Sequence, residues 1–198
     1  MDGPEGPPTD STDVTDQVAV DRVRAGDRDA YAILVRRHAA AAHRAAFIFG
    51  AGPDAEDVVQ VAFVKAYEAL PRCRDGAAFR PWFLRIVINE AKNAKRAARR
   101  RWSATERLAA LDVRLDGPDP AGSTLSRERR AELLAALRRL PVPQQQVIAC
   151  RFFLELDERE TATALGLPAG TVKSRLYRAL RRLECELSSD VEVAEREH

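Results

Sequence analysis

The chain is poor in several things that would direct its reading. It has three cysteines in 198 residues, Cys73, Cys150 and Cys185, spaced far apart with no C-x-x-C pair. That spacing supports neither a disulfide framework nor a zinc site and fits a reducing compartment. Aromatic residues make up only 6% of the chain, while alanine, leucine and arginine recur, which favours helix over strand. No apolar run is long enough to span a bilayer. The most apolar stretch, residues 39–52, is interrupted by His43 and Arg44 and falls short of the ~20 residues required. The N-terminus has neither the basic region nor the apolar core of a secretory signal. Histidine occurs three times, at His38, His43 and His198. No Gly-rich phosphate loop, metal-ligand cluster or nucleophile with a base in reach is visible, so the sequence reads as a non-enzyme without metal, cofactor or small-molecule substrate.

Charge of one sign is also missing: 32 basic against 30 acidic side chains leave a formal net charge of +2. That sum conceals opposed blocks. Residues 1–18 hold Asp2, Glu5, Asp10, Asp13 and Asp16 with no base, beside a cluster of glycine and proline. Such a segment buries too little apolar surface to offset its ordering entropy, and residues 1–17 are expected to be disordered. The last residues, 188–198, form an acidic tail. Between the ends lie two basic blocks, one from Lys92 to Arg101 and one from Lys173 to Arg182, each compact enough to bind phosphate.

What is present is helical periodicity in two stretches. A run of turn formers and breakers, Asp116 to Ser123, sits inside a stretch where that periodicity fades. The expectation is an all-α protein of two small helical domains, residues 18–101 and 125–187, joined by a flexible linker over 102–124.

In the first domain, Ala55, Val58, Val59, Ala62, Phe63, Ala66, Tyr67 and Leu70 keep the i, i+3, i+4 spacing of a core stripe. At ~100° per residue, Asp57, Val61, Val64 and Glu68 point the other way. Two valines between carboxylates on a solvent face suggest a surface for docking a protein. Farther on, Trp82, Phe83, Ile86, Val87 and Ile88 give a helix its apolar body, with Phe83 expected in the core. Asn89, Lys92, Asn93, Arg96, Arg99 and Arg100 then follow. Their spacing puts amides beside cations on one face: cations hold phosphate, amides can bond base edges, and a nearby aromatic such as Trp82 can stack on an unpaired base.

In the second domain, Leu133, Leu134, Leu137 and Leu140 mark an amphipathic helix stopped by Pro141-Val142-Pro143. A second helix is expected from Gln144 to about Phe153. Asp157-Glu158-Arg159-Glu160 reads as a capping box. The helix it opens closes at Gly166, and the last helix is expected over Val172 to about Glu186. Helix, short Gly-containing turn, helix is the helix-turn-helix layout. It leaves Lys173, Ser174, Tyr177 and Arg178 outward on the second helix, beside Arg175, where N-terminal residues would meet base edges in a major groove.

Asp54–Ala66, Trp82–Asn89 with Lys92-Asn93, and Gly170–Leu176 stand in an order and spacing that resemble bacterial sigma-70 family sigma factors of the extracytoplasmic-function group. The resemblance implies a subunit that binds core RNA polymerase and directs promoter-specific initiation. Asp57, Gln60, Val61, Val64 and Glu68 would dock on a coiled coil of the largest subunit, and the second domain would meet the flap region. Trp82, Asn89, Lys92, Asn93, Arg96, Arg99 and Arg100 would open the downstream promoter element, with a flipped base near Asn89. Lys173, Ser174, Arg175, Tyr177 and Arg178 would read the upstream element, with Arg151 on the backbone. An anti-sigma factor is the implied inhibitor and the cytoplasm the implied location, at the membrane where that inhibitor is membrane-bound. The chain departs from the family at Glu158 and Thr161, where an aromatic and an isoleucine are usual, so a hydroxyl is expected near an apolar seam. A helix-turn-helix regulator acting on DNA alone is the alternative, but it leaves Val61, Val64 and the Asn89–Arg101 stretch without a role.

Overall fold

A computed structural model of the chain describes residues 14–73, 75–101 and 124–196. The described residues form eight α-helices and no strand. The first module holds α1 (Asp16–Arg24), α2 (Tyr31–Ile48), α3 (Ala55–Ala69) and α4 (Phe79–Arg101). The second holds α5 (Thr124–Arg139), α6 (Val142–Ile148), α7 (Glu158–Leu165) and α8 (Ala169–Arg196). Short 3-10 turns lie between helices in the first module.

α1 starts two residues before the expected boundary. Thr15 caps it by accepting from the Val18 amide. Asp16 then ties it down: its carboxylate accepts from Arg37 Nη1 at 2.6 Å and lies 2.8 Å from His38 Nε2, both on α2. Burial would raise the Asp16 pKa, but these hydrogen bonds outweigh it and hold the carboxyl below its ordinary value. The expectation of disorder therefore fails for residues 14–17, while residues 1–13 lie outside the described residues.

α2, α3 and α4 enclose the first core. Phe83, fully buried, stacks on Phe63 at 4.4 Å between ring centroids and on Phe79 at 5.7 Å. Gly50 ends α2 at φ +95°, and the Lys95 side chain lies where a Cβ would be. α4 begins at Phe79 rather than near Pro81. Pro81 then sits in the first turn, where its missing N–H costs no helical bond.

In the second module the break after Leu140 is as expected, but the next helix starts at Val142 and runs into a π-turn over Ala149–Phe153. The Leu154 amide accordingly bonds the Ala149 carbonyl, five residues back. The turn that follows carries Glu155 at φ 53°, an uncommon conformation for a residue with a Cβ. The carbonyls on either side of it are both held by arginines, Leu154 O by Arg80 at 2.7 Å and Leu156 O by Arg151. The capping box forms with both bonds at 2.8 Å. Gly166, at φ 65°, supplies the left-handed residue that ends α7. α8 is longer than expected, continuing to Arg196. The expected linker lies at 102–123, outside the described residues, apart from Thr124, which opens α5.

The two cores are continuous. Leu84, Val87, Ile88 and Ala91 of α4 belong to the same buried cluster as Ile148, Ala149, Cys150, Leu154, Leu156 and Ala164 of the second module. α7 packs against α4 as well as against α8.

Candidate nucleic-acid and polymerase interfaces

The α3 face is uncovered. Val61 is 44% and Val64 60% exposed, and Asp57, Gln60 and Glu68 around them are exposed too. Val58, Val59, Ala62, Phe63 and Ala66 are buried on the other side, so the two stripes separate as the periodicity requires. Tyr67, read from the sequence as part of the core stripe, is instead 38% exposed, its ring edge-on to Tyr31. Between α3 and α4 runs a groove of about 500 Å³ lined by Asp57, Val61, Asn93 and Arg100, among others. Lys65 of α3 bridges Glu90 of α4 at 2.8 Å along the same seam. The valine surface and the amide–cation surface thus adjoin each other.

On α4, Asn89, Asn93, Arg96, Arg99 and Arg100 are exposed. Arg96 reaches the Asn93 side-chain oxygen at 3.5 Å. Trp82 is partly buried against the core, its ring 5.7 Å from Phe79. Lys92 differs from its neighbours. Its ammonium lies 5.5 Å over the Phe49 ring and 3.5 Å from the Gln146 side-chain oxygen of the second module. Burial lowers its pKa, partly opposed by Cys150 and reinforced by Arg96. Cys150 faces it fully buried, its thiol pushed up to about 12 by burial.

On α8, Lys173, Ser174, Tyr177 and Arg178 are all exposed, Tyr177 by 65%. Val172 and Ala179 are buried beneath them and Leu176 is partly buried, so the helix presents these four as one outward face. Ser174 donates to the Thr171 carbonyl at 3.1 Å and Arg178 Nε to the Ser174 carbonyl at 3.1 Å. These bonds hold the side chains along the helix without turning them inward. Arg175 is half-buried. The far end of the basic block is paired instead: Arg181 with Glu184 at 3.0 Å, Arg182 with Glu186 at 3.8 Å. Cation free of acid therefore concentrates in the first turns of α8, the end that would enter a groove.

Arg151 does not project with this set. It is half-buried and braces the Leu156 carbonyl of its own module. Thr161 is fully buried on α7 and its hydroxyl has no hydrogen-bond partner, so the substitution noted in the sequence leaves an unsatisfied group. The sequence reading missed Arg80, Arg85, Gln146 and Cys150. Arg80 and Arg85 interrupt the apolar body of α4, and that interruption was the available signal.

Among the described residues no group of histidine, cysteine or carboxylate side chains is placed to hold a metal, and no helix is long and apolar enough to cross a membrane. Two family models match the chain: Sigma-70 region 2 over residues 34–101 and Sigma-70, region 4 over residues 130–183. The ECF RNA polymerase sigma-E factor of Escherichia coli (strain K12) is 35% identical over 184 residues, an alignment covering 88% of this chain and 95% of that protein. The RNA polymerase sigma factor NccH of Alcaligenes xylosoxydans xylosoxydans is 31% identical over 177 residues, with the same coverage. The solved structure of CnrH in complex with the cytosolic domain of CnrY matches with a TM-score of 0.62 at 27% identity, over 91% of this chain and 99% of that one. The sigma factor RpoE of Bartonella quintana, in complex with the anti-sigma factor NepR, shares the fold at a TM-score of 0.56 and 23% identity, over 79% of this chain and 98% of that one.

Proposed function

The chain belongs to the sigma-70 family of RNA polymerase sigma factors, in its extracytoplasmic-function (ECF) group, and from that premise we propose how its residues divide the work. As a sigma factor it binds core RNA polymerase and directs promoter-specific transcription initiation, acting as a subunit of the polymerase without catalysis of its own. It works in the cytoplasm and carries no cofactor or small-molecule substrate.

Residues 18–101 form the module that docks and melts, and residues 125–187 the module that reads duplex DNA. The observation that carries the docking role is the exposed Val61–Val64 pair, flanked by Asp57, Gln60 and Glu68. Apolar surface flanked by carboxylates suits a partner that offers apolar and basic side chains, the place that the family gives to a coiled coil of the largest polymerase subunit. The second module meets the flap region.

Lys173, Ser174, Tyr177 and Arg178 read the upstream element in the major groove, with Arg175 toward the backbone. Asn93 and Arg100 line the groove that α4 shares with α3, Lys92 and Arg96 line the cleft against the second module, and Asn89 is exposed on the same helix; the strand separated on the polymerase would pass along this part of α4. Arg99 and Arg100 hold its phosphates, and Trp82 backs the unstacked base near Asn89. Unstacking a base costs a few kcal/mol, which contacts to the extruded base must offset. An anti-sigma factor is the partner that withholds the chain from polymerase, as the complexes of its structural relatives suggest.

Run-off transcription with purified core polymerase tests this. A cognate promoter should be transcribed only when the chain is present. Tight promoter binding without core, and no recruitment of polymerase, would overturn the reading.

A further inference from the structure

α4 lines a cleft on each of two sides, and the two differ in charge. Toward α3 it shares a groove of about 500 Å³ with Asp54 and Asp57, and its own Glu90 adds a third carboxylate beside Arg100. Its other face meets the end of α2 and the start of α6 across a cleft of about 320 Å³. Lys92, Arg96 and Arg99 line this second cleft at the i, i+4, i+7 spacing of one helix face, with Lys95 beside them. None of the described residues that line it is acidic. Lys92 is half-buried there, its ammonium 5.5 Å over the Phe49 ring and 3.5 Å from the Gln146 side-chain oxygen, while Arg96 and Arg99 are exposed. Val142 and Gln146 form part of the opposite wall.

Like charges three and four residues apart on a helix repel one another, and an anion seated among them relieves the repulsion. Toward α3 the chain's own carboxylates stand close to the cation; none lines the second cleft. Lys92 and Arg99 are about 10 Å apart along the helix axis, farther than one phosphate reaches, so two linked phosphates are needed to meet both. An arginine fork pairs with phosphate oxygens two at a time, and a lysine adds a point charge. The cleft volume sits at the low end of small-molecule sites, which run from about 300 to 1,000 Å³. Phe49 and Val142 give it apolar wall, and the Gln146 amide can bond a ligand edge. A strand tracks an open groove, whereas three helical elements wall this cleft. We propose that the cleft between α2, α4 and α6 binds a small diphosphate, inorganic or carried by a nucleotide, on Lys92, Arg96 and Arg99. Those three cations are also assigned to the separated strand, so strand and diphosphate would compete. That consequence rests on the sigma-factor reading; the site itself does not.

Isothermal titration calorimetry of the full wild-type chain at fixed ionic strength, with inorganic pyrophosphate, ADP and AMP as separate probes, tests this. Pyrophosphate and ADP should each bind saturably and one to one, and AMP about tenfold more weakly, because it brings a single phosphate. ADP binding more tightly than pyrophosphate assigns the site to a nucleotide, and the reverse assigns it to the free anion. Gln146→Glu sets a carboxylate beside Lys92 with almost no change of size, and Val142→Asp sets one on the same wall at a side chain that is 52% exposed. Each should weaken binding about tenfold while the far-ultraviolet circular dichroism stays helical. Arg36→Ala, in a different cleft between α1 and α2, lowers the net charge by the same amount and should leave binding unchanged. Equal weakening by all three variants would reduce the effect to net charge and overturn the site. Absence of saturable binding by both diphosphates would overturn it as well, and AMP binding as tightly as ADP would overturn the diphosphate assignment. A single-stranded DNA oligonucleotide that binds and is weakened by Gln146→Glu, where neither diphosphate binds, would give the cleft to a strand instead. Run-off transcription without added diphosphate remains the separate test of the sigma-factor reading.

Discussion

α4 and α8 carry similar charge and end in different situations. Both helices are rich in arginine and lysine, and both interleave those cations with groups able to read or stack on bases. On α8 the reading face is open, and its surplus cations at the far end are paired with Glu184 and Glu186. On α4 the cations are mostly exposed, but Lys92 is drawn into a seam and the second module stands beside the row. The difference teaches that a basic helix is defined by what packs against it as much as by its composition. In the proposed division of labour, α8 meets a groove as it stands and α4 meets a strand that must be offered to it.

The largest expected effect falls outside both helices and tests whether they act on one machine. Val61→Asp with Val64→Asp should abolish co-purification with core polymerase while the far-ultraviolet circular dichroism stays helical, since both side chains are exposed. Retained co-purification would break the link between the α3 face and polymerase. Next, Arg178→Ala should cost about 1–3 kcal/mol at one upstream base pair, whereas Arg100→Ala should weaken binding evenly across promoters and lower its salt dependence. Competition binding over a set of single-base promoter variants separates the two. Equal losses for Arg178→Ala on every variant would place α8 on the backbone and erase its contrast with α4.

A smaller effect concerns α7. Thr161→Val keeps the side-chain shape and removes a buried hydroxyl without a partner. It should stabilise the chain by about 1–3 kcal/mol, read as a higher midpoint in urea denaturation. A lower midpoint would mean that the hydroxyl is satisfied by water. The smallest effect is local to α1. The Asp16 pKa is lower folded than unfolded, so its contribution is fully present above the unfolded value near 3.9 and is lost as pH falls through the folded one. Asp16→Asn should therefore destabilise at neutral pH and flatten the stability profile in acid. A profile unchanged between the two proteins would remove Asp16 as the anchor of α1.

Much of this was legible in the sequence because it depends on local rules. The α3 stripes separate by periodicity alone, and Val61 and Val64 emerge on the open face where the 3.6-residue repeat puts them. The capping box at Asp157–Glu160 and the left-handed Gly166 follow from short-range chemistry, and they place Lys173, Ser174, Tyr177 and Arg178 outward. Thr161 was visible as a hydroxyl in an apolar seam. What could not be read depends on contacts between distant segments. Nothing near Lys92 in the chain points to Gln146 or Cys150, which lie more than fifty residues away. Arg151 looked like another DNA-facing cation because its partner, the Leu156 carbonyl, is a backbone group that no sequence pattern advertises. Tyr67 keeps the core spacing yet is 38% exposed, its ring packed edge-on against Tyr31 while Ala66 and Leu70 beside it are buried. The early start of α1 was hidden because Asp16 counted as one more acid in an acidic segment, although its partners sit on α2.

The division of labour between α4 and α8 is tested most directly by permanganate footprinting of a cognate promoter with reconstituted holoenzyme. Asn89→Ala holoenzyme should occupy the duplex at the upstream element yet show little thymine reactivity at the downstream element, while wild-type holoenzyme shows both. Full thymine reactivity with Asn89→Ala, or loss of duplex occupancy together with reactivity, would contradict the account.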